Sequence, residues 1–211
     1  MKPARARIGS RQPAESTVAP LQLLGSDAEI LAALQAGTAA GGAALYDRYH
    51  AHVRRVLMRV LGYHTDLNDL VQEALITAIG TVGRVPYPEA LRPWLTSVAV
   101  YTARAEIRRS RRRRFLALTA NDELPDVEAP TSSPEAGEAL RTTYRVLSKM
   151  PADERIVFAL RFIDGMELAE VAEACDVSLA TIKRRVQRAR SRFESMAACY
   201  DELSEWLARG R

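Results

Sequence analysis

Lys183, Arg184, Arg185, Arg188, Arg190 and Arg192 crowd into ten consecutive residues. Cations at that density neutralise phosphates and release the counterions condensed on a nucleic acid, which makes binding steeply salt-dependent. Ser178, just upstream, is a residue type that starts helices by accepting from a backbone N–H near Thr181. If a helix begins there, Leu179, Ala180, Thr181, Lys183, Arg184 and Gln187 lie in its first turns, the part that approaches base edges. Ser178, Ala180, Thr181, Lys183, Arg184, Gln187 and Arg188 are therefore the candidate duplex contacts. A second cationic cluster, Arg108, Arg109, Arg111, Arg112, Arg113 and Arg114, places six arginines in seven positions. Such a run repels itself unless a polyanion is the partner.

Positioning these residues falls to helices. Leu168, Val171 and Ala172 form a short apolar helix face, a turn follows at Cys175-Asp176-Val177, and Ile182, Val186, Ala189 and Phe193 recur at spacings of four, three and four. That is a helix-turn-helix, whose second helix enters the major groove. Upstream, Leu45, Tyr49, Val53, Val56, Leu57, Val60 and Leu61 define a long helix ended by Gly62, with the Gly41-Gly42 pair interrupting the pattern before it. Asp66 is placed to cap the next helix, whose apolar residues are Leu67, Leu70, Val71, Leu75, Ile76 and Ile79. A loop spans Gly80 to Pro88, and a helix from Glu89 to about Arg114 carries Pro93 in its first turns, where proline is tolerated.

Composition sets the class. The 211 residues are 47 % hydrophobic but only 6 % aromatic, rich in alanine, leucine, arginine and glutamate, which favours helix over sheet. The net charge of +4 hides segregation: residues 116–139 hold six acids, three prolines and no Lys or Arg. The expected fold is all-α, two small helical domains (26–115 and 140–198) joined by an acidic flexible linker (116–139), the second a helix-turn-helix domain. Residues 1–25 read as a disordered basic arm and 199–211 as a tail. Cys175 and Cys199, far apart, read as reduced thiols, and no apolar run spans a bilayer, so a cytoplasmic chain with no membrane insertion is expected.

Taken together, Asp66-Leu-Asn-Asp-Leu-Val-Gln-Glu-Ala74, Arg92-Pro-Trp-Leu-Thr-Ser-Val-Ala99, the arginine run, and the later Met150-Pro151, Arg155, Val157-Phe158, Gly165, Glu170-Val171-Ala172, Val177-Ser178, Thr181-Ile182-Lys183, Arg185 and Arg188-Ala189-Arg190 resemble the sigma-70 family, in particular its compact extracytoplasmic-function group. The resemblance covers about residues 26–197. It implies a subunit that binds bacterial core RNA polymerase and directs promoter-specific initiation. Asp69, Leu70, Gln72 and Glu73 would face core polymerase. Arg92, Trp94, Arg104, Arg108, Arg109, Arg111 and Arg112 would engage the minus-ten element and its unpaired strand, although Trp94 by itself reads first as a core aromatic. The helix-turn-helix would read the minus-thirty-five element, and an anti-sigma partner is expected. Several positions depart from the family pattern: its asparagine and the aspartate four residues on are Tyr101 and Ala105, and the aromatic that often follows the Glu73 position is absent, with Ala74, Leu75 and Ile76 there. The turn glycine is Asp176, which tolerates a left-handed backbone.

Other chemistries find little to stand on. There is no glycine-rich phosphate loop and no nucleophile–base set, so no enzymatic activity and no cofactor are expected. His50, His52 and His64 have surface spacing rather than metal-ligand spacing, so no metal is expected either. The competing reading is a stand-alone helix-turn-helix regulator that does not bind polymerase.

Overall fold

The computed structural model describes residues 25–116, 134–201 and 203. The basic arm, most of the acidic linker and most of the C-terminal tail lie outside them. Among the described residues the secondary structure is entirely helical, in two groups: α1 (Asp27–Gln35), α2 (Ala39–Leu61), α3 (Leu67–Thr81) and α4 (Leu91–Leu116), then α5 (Pro134–Lys149), α6 (Ala152–Phe158, continued by a π turn over Ala159–Ile163), α7 (Leu168–Cys175) and α8 (Leu179–Ala197).

Local signals account for most boundaries. Ser26 caps α1 in a capping box with Glu29, and Ser178 caps α8 by accepting from the Thr181 N–H at 3.3 Å. Gly62 ends α2 at φ 74°, ψ −157°, a region essentially reserved for glycine. Two expectations are corrected. Gly41 and Gly42 do not interrupt a helix; they lie inside α2, which Thr38 caps. A Cβ at Gly41 would stand 2.7 Å from the Ala33 carbonyl carbon, so the missing side chain lets α1 cross α2 backbone to backbone. Asp66 provides no side-chain cap to α3; its own N–H donates to His64 Nδ1 at 3.2 Å. The loop before α4 also contains two short 3-10 turns, Val82–Arg84 and Pro88–Ala90. Further on, α5 starts at Pro134, inside the stretch assigned to the linker, because proline suits a first helical position.

The two groups share one continuous core. α4 packs against α6 and α7 as well as against α2 and α3. The last carbonyls of α2, short of helical donors, are taken by side chains from the second group, the Met58 carbonyl also accepting the Gly62 N–H at 2.8 Å. Tyr144 donates its hydroxyl to Met58 and Arg59 (3.3 and 3.1 Å), and Arg155 donates Nε to Val60 and Nη2 to Leu61 (2.9 and 3.0 Å). Arg155 is only 6 % exposed, and burial pushes the Tyr144 phenol up to about 12. Gly62 completes the junction: a Cβ there would press within 2.8 Å of the Tyr144 ring. Arg104–Asp153 (3.0 Å), Arg59–Asp164 (3.7 Å) and Arg111 on the carbonyls of Lys149 and Met150 (3.4 and 3.2 Å) extend the contact.

Between the groups lies a cavity of about 360 Å³ lined by His52, Arg55, Arg92, Asp164, Glu170 and Glu173 among others. The surface assignment of the histidines is corrected here, since His50, His52 and His64 are all partly buried. His52 bonds Thr96 at 2.9 Å through Nε2, and its Nδ1 is buried without a partner. Burial first, then the Arg92 and Arg55 charges, bring its pKa down to about 4. A histidine depressed on folding contributes stability that is complete above its unfolded pKa, near 6.5, and is lost as pH falls toward 4. The expected outcome is that His52→Gln narrows the difference between thermal midpoints measured at pH 7.5 and pH 5. An unchanged difference would mean that other groups govern that window.

Candidate nucleic-acid interface

The helix-turn-helix forms as its residues dictate. α7 ends on Asp176 in the left-handed conformation (φ 53°), with the Val177 N–H returning to the Ala172 carbonyl at 3.1 Å. Val171, Ala172, Ile182, Ala189 and Phe193 are buried together, and Phe193 stacks on Phe158 with centroids 4.3 Å apart. Val186, the remaining member of the expected stripe, is partly buried.

Ion pairing sorts the cations of α8. Arg185 reaches Asp153 (3.9 Å), Arg190 reaches Glu194 (2.8 Å) and Arg192 reaches Glu154 (2.5 Å). Lys183, Arg184 and Arg188 are exposed and have no acidic partner among the described residues. With Ala180 and Gln187 they occupy positions 180, 183, 184, 187 and 188, one face of the helix at its N-terminal half. Ser178 and Thr181 bond each other's hydroxyls at 2.9 Å and hold the first turn. An anion laid against this face meets three unneutralised charges and the positive end of the helix dipole.

α4 divides in the same way. Its Glu106 is buried, yet it accepts from Arg109 (3.0 Å), Arg113 (2.6 Å) and the Ser110 hydroxyl, with His64 3.6 Å away. Arg109 also reaches Glu73 of α3 at 3.7 Å. Arg104 and Arg111 are engaged by the second helix group, as described. Arg108 and Arg112 are exposed without an acidic partner among the described residues. Arg92 is exposed at the cavity mouth, and Trp94 is partly buried against the core. The seven expected minus-ten residues thus lie on one helix but face five different surroundings.

On α3, Asp69, Gln72 and Glu73 are exposed on one face, whereas Leu70 is 3 % exposed and belongs to the core. The apolar pattern also misplaced Ile76 and Ile79: Ile76 is 70 % exposed, and Ile79 is 43 % exposed where it lies over Gly42 of α2. Ile76 continues the face of Asp69, Gln72 and Glu73 at helical spacing, the signal that could have separated it from the core.

Residues 45–113 match the family description "Sigma-70 region 2" and residues 140–193 match "Sigma-70, region 4". The chain belongs to the sigma-70 family. Its relatives place it in the extracytoplasmic-function group. It is 29 % identical over 160 residues to the ECF RNA polymerase sigma-E factor of Haemophilus influenzae, covering 72 % of this chain and 84 % of that one. It is 28 % identical over 168 residues to the ECF RNA polymerase sigma factor SigM of Mycobacterium tuberculosis, covering 80 % and 83 %. The fold of this sigma factor is also that of two solved structures. One is CnrH in complex with the cytosolic domain of CnrY (TM-score 0.55, 21 % identity, 83 % of this chain and 99 % of that one). The other is the sigma factor RpoE with the anti-sigma factor NepR from Bartonella quintana (TM-score 0.52, 21 % identity, 74 % and 95 %). In this sigma factor the region 2 match falls within α2 to α4 and the region 4 match within α5 to α8.

No helix among the described residues is long and apolar enough to cross a membrane, and these residues contain no cluster of three or more metal-ligating side chains.

Proposed function

We propose that this sigma factor binds core RNA polymerase through α3, engages the minus-ten element through α4, and reads the minus-thirty-five element as duplex through the N-terminal face of α8. It carries out no bond-making chemistry itself; catalysis belongs to the polymerase. The observation that supports this best is the segregation of unpaired cations. Lys183, Arg184 and Arg188 share one face of the second helix of a helix-turn-helix, in a chain whose other half matches region 2. A stand-alone regulator would not require that region 2 half, and the match over residues 45–113 weighs against it. An anti-sigma partner and a cytoplasmic location belong to the same proposal, as do the boundaries of 26–115 and 140–198 for the two functional domains.

The test is run-off transcription with the purified chain, sigma-free core polymerase and a pool of promoter fragments from its host. Discrete transcripts that depend on the chain are expected, and their start sites reveal the promoter. Duplex binding without transcripts and without retention of core enzyme would favour the stand-alone regulator.

The α3 surface makes a separate prediction. Glu73→Ala and Ile76→Asp should each weaken co-purification with core polymerase about tenfold, the scale of an interface hot spot. Neither should alter affinity for promoter duplex by more than about twofold. Loss of duplex binding in step with loss of polymerase binding would show that the change had spread through the Glu73–Arg109 contact instead.

A further inference from the structure

The cavity between the two helix groups draws its positive charge from one group and its negative charge from the other. Arg55 of α2 and Arg92 at the start of α4 come from the first; Asp164, Glu170 and Glu173 come from the second. Among the described residues, Arg55 and Arg92 have no acidic partner and Glu173 has no basic one. Opposite charges thus share one cavity without closing on each other. Neighbouring contacts that do cross the seam are Arg59–Asp164 at 3.7 Å and the Ser97 hydroxyl on the Glu173 carbonyl at 3.4 Å, and they hold the groups at this separation. His52 adds a polar atom in need of a partner. The Thr96 hydroxyl donates to the Arg92 carbonyl at 3.1 Å, so towards His52 Nε2 it acts as the acceptor. Nε2 therefore carries the proton of the neutral ring, and the buried Nδ1 is an acceptor without a donor.

These features select a ligand class. An anion alone would be repelled by the three carboxylates, and a cation alone by the two guanidinium groups. Val56, Pro93, Met166 and Ala174 also line the space and offer an aliphatic segment surface to cover. The volume, about 360 Å³, lies at the low end of the roughly 300–1,000 Å³ typical of small-molecule sites, which favour domain interfaces. We infer that this cavity binds a short aliphatic zwitterion, an amino acid whose carboxylate meets Arg55 and Arg92 while its ammonium meets Glu170 and Glu173. One N–H of that molecule can satisfy His52 Nδ1. Because the two walls belong to different helix groups, the bound molecule stabilises the closed body over any state in which the groups are apart.

The test is calorimetric titration of the full chain with a homologous series: glycine, β-alanine, γ-aminobutyrate, δ-aminovalerate and ε-aminocaproate. Affinity should peak at the length that spans the walls, with a dissociation constant of about 0.1 mM. Butylamine and butyrate, each lacking one charged end, should bind at least about tenfold more weakly. At about a hundred times its dissociation constant, the best binder should raise the thermal midpoint by about 5–10 °C. Arg55→Gln and Glu173→Gln alter exposed side chains. Each should keep the helical signal of wild type and weaken the best binder about tenfold. Absence of binding across the series up to about 10 mM, or equal binding of butyrate or butylamine, would overturn the inference. So would an affinity that both substitutions leave unchanged, since the molecule would then sit elsewhere. The titration contains neither polymerase nor DNA, so its failure leaves the sigma-factor reading standing, and failure of run-off transcription leaves this site standing.

Discussion

Replacing Arg155 with alanine should lower the thermal midpoint of the whole chain by roughly 10 °C. The guanidinium is buried and donates two charge-assisted hydrogen bonds to carbonyls at the end of α2. Each such bond contributes about 1.5–3 kcal/mol, and removing the donor strands a buried carbonyl as well. Relief of the desolvated charge offsets part of that, leaving a loss of about 3 kcal/mol. For a protein of this size each kcal/mol moves the midpoint by about 2–4 °C. Calorimetry should show a single transition moving down. If instead the transition splits in two, with the helix-turn-helix group melting separately at an unchanged temperature, the two halves fold independently and Arg155 merely joins them.

Replacing Arg184 with alanine should weaken minus-thirty-five duplex binding by about tenfold to a hundredfold, the range of a direct base contact. If Arg184 meets a phosphate instead, the loss is smaller and uniform across sequences, and the slope of log affinity against log salt falls by about one. Glu170→Ala serves as the control on the neighbouring helix. Its carboxylate accepts the Glu167 N–H at 2.7 Å in a capping box, so its loss should cost about 1 kcal/mol of stability with duplex affinity intact. Titrations of labelled duplex at several salt concentrations would separate these outcomes, and equal losses in both variants would move the reading face away from α8.

The parts legible in the sequence were those written in short-range chemistry. Ser178, Gly62 and Asp176 each act on neighbours within a few residues, and the structure finds them in the expected roles. Gly41 was misread because a glycine inside a helix resembles a break until the crossing helix is known. Asp66 has the residue type of a cap but a backbone (φ −92°, ψ 20°) outside the extended conformation typical of one. Arginine side chains were the least legible. Nothing local distinguishes Arg108, without an acidic partner among the described residues, from Arg109, neutralised by an acid three residues back that the fold buries. Leu70 and Ile76 share an apolar helix, and only the packing of α3 shows that one is core and the other surface. The joining of the two groups through Arg155 and Tyr144 left no trace in periodicity, because its acceptors are backbone carbonyls some ninety positions away in sequence.

That junction acts as a ruler. By their names the proposed minus-ten and minus-thirty-five elements are centred about 25 base pairs apart, or about 85 Å along the duplex at 3.4 Å per step. A closed body of this size has a radius of gyration of about 15 Å and cannot touch both at once. If α4 and α8 read these elements as proposed, every productive encounter with a whole promoter samples a separated state in which the end of α2 surrenders its borrowed donors to water. The apparent affinity for paired elements is the intrinsic affinity multiplied by the fraction of molecules already apart. A closed form favoured by about 3 kcal/mol would hold that fraction below one in a hundred. A free protein held shut in this way would be a poor reader of paired elements.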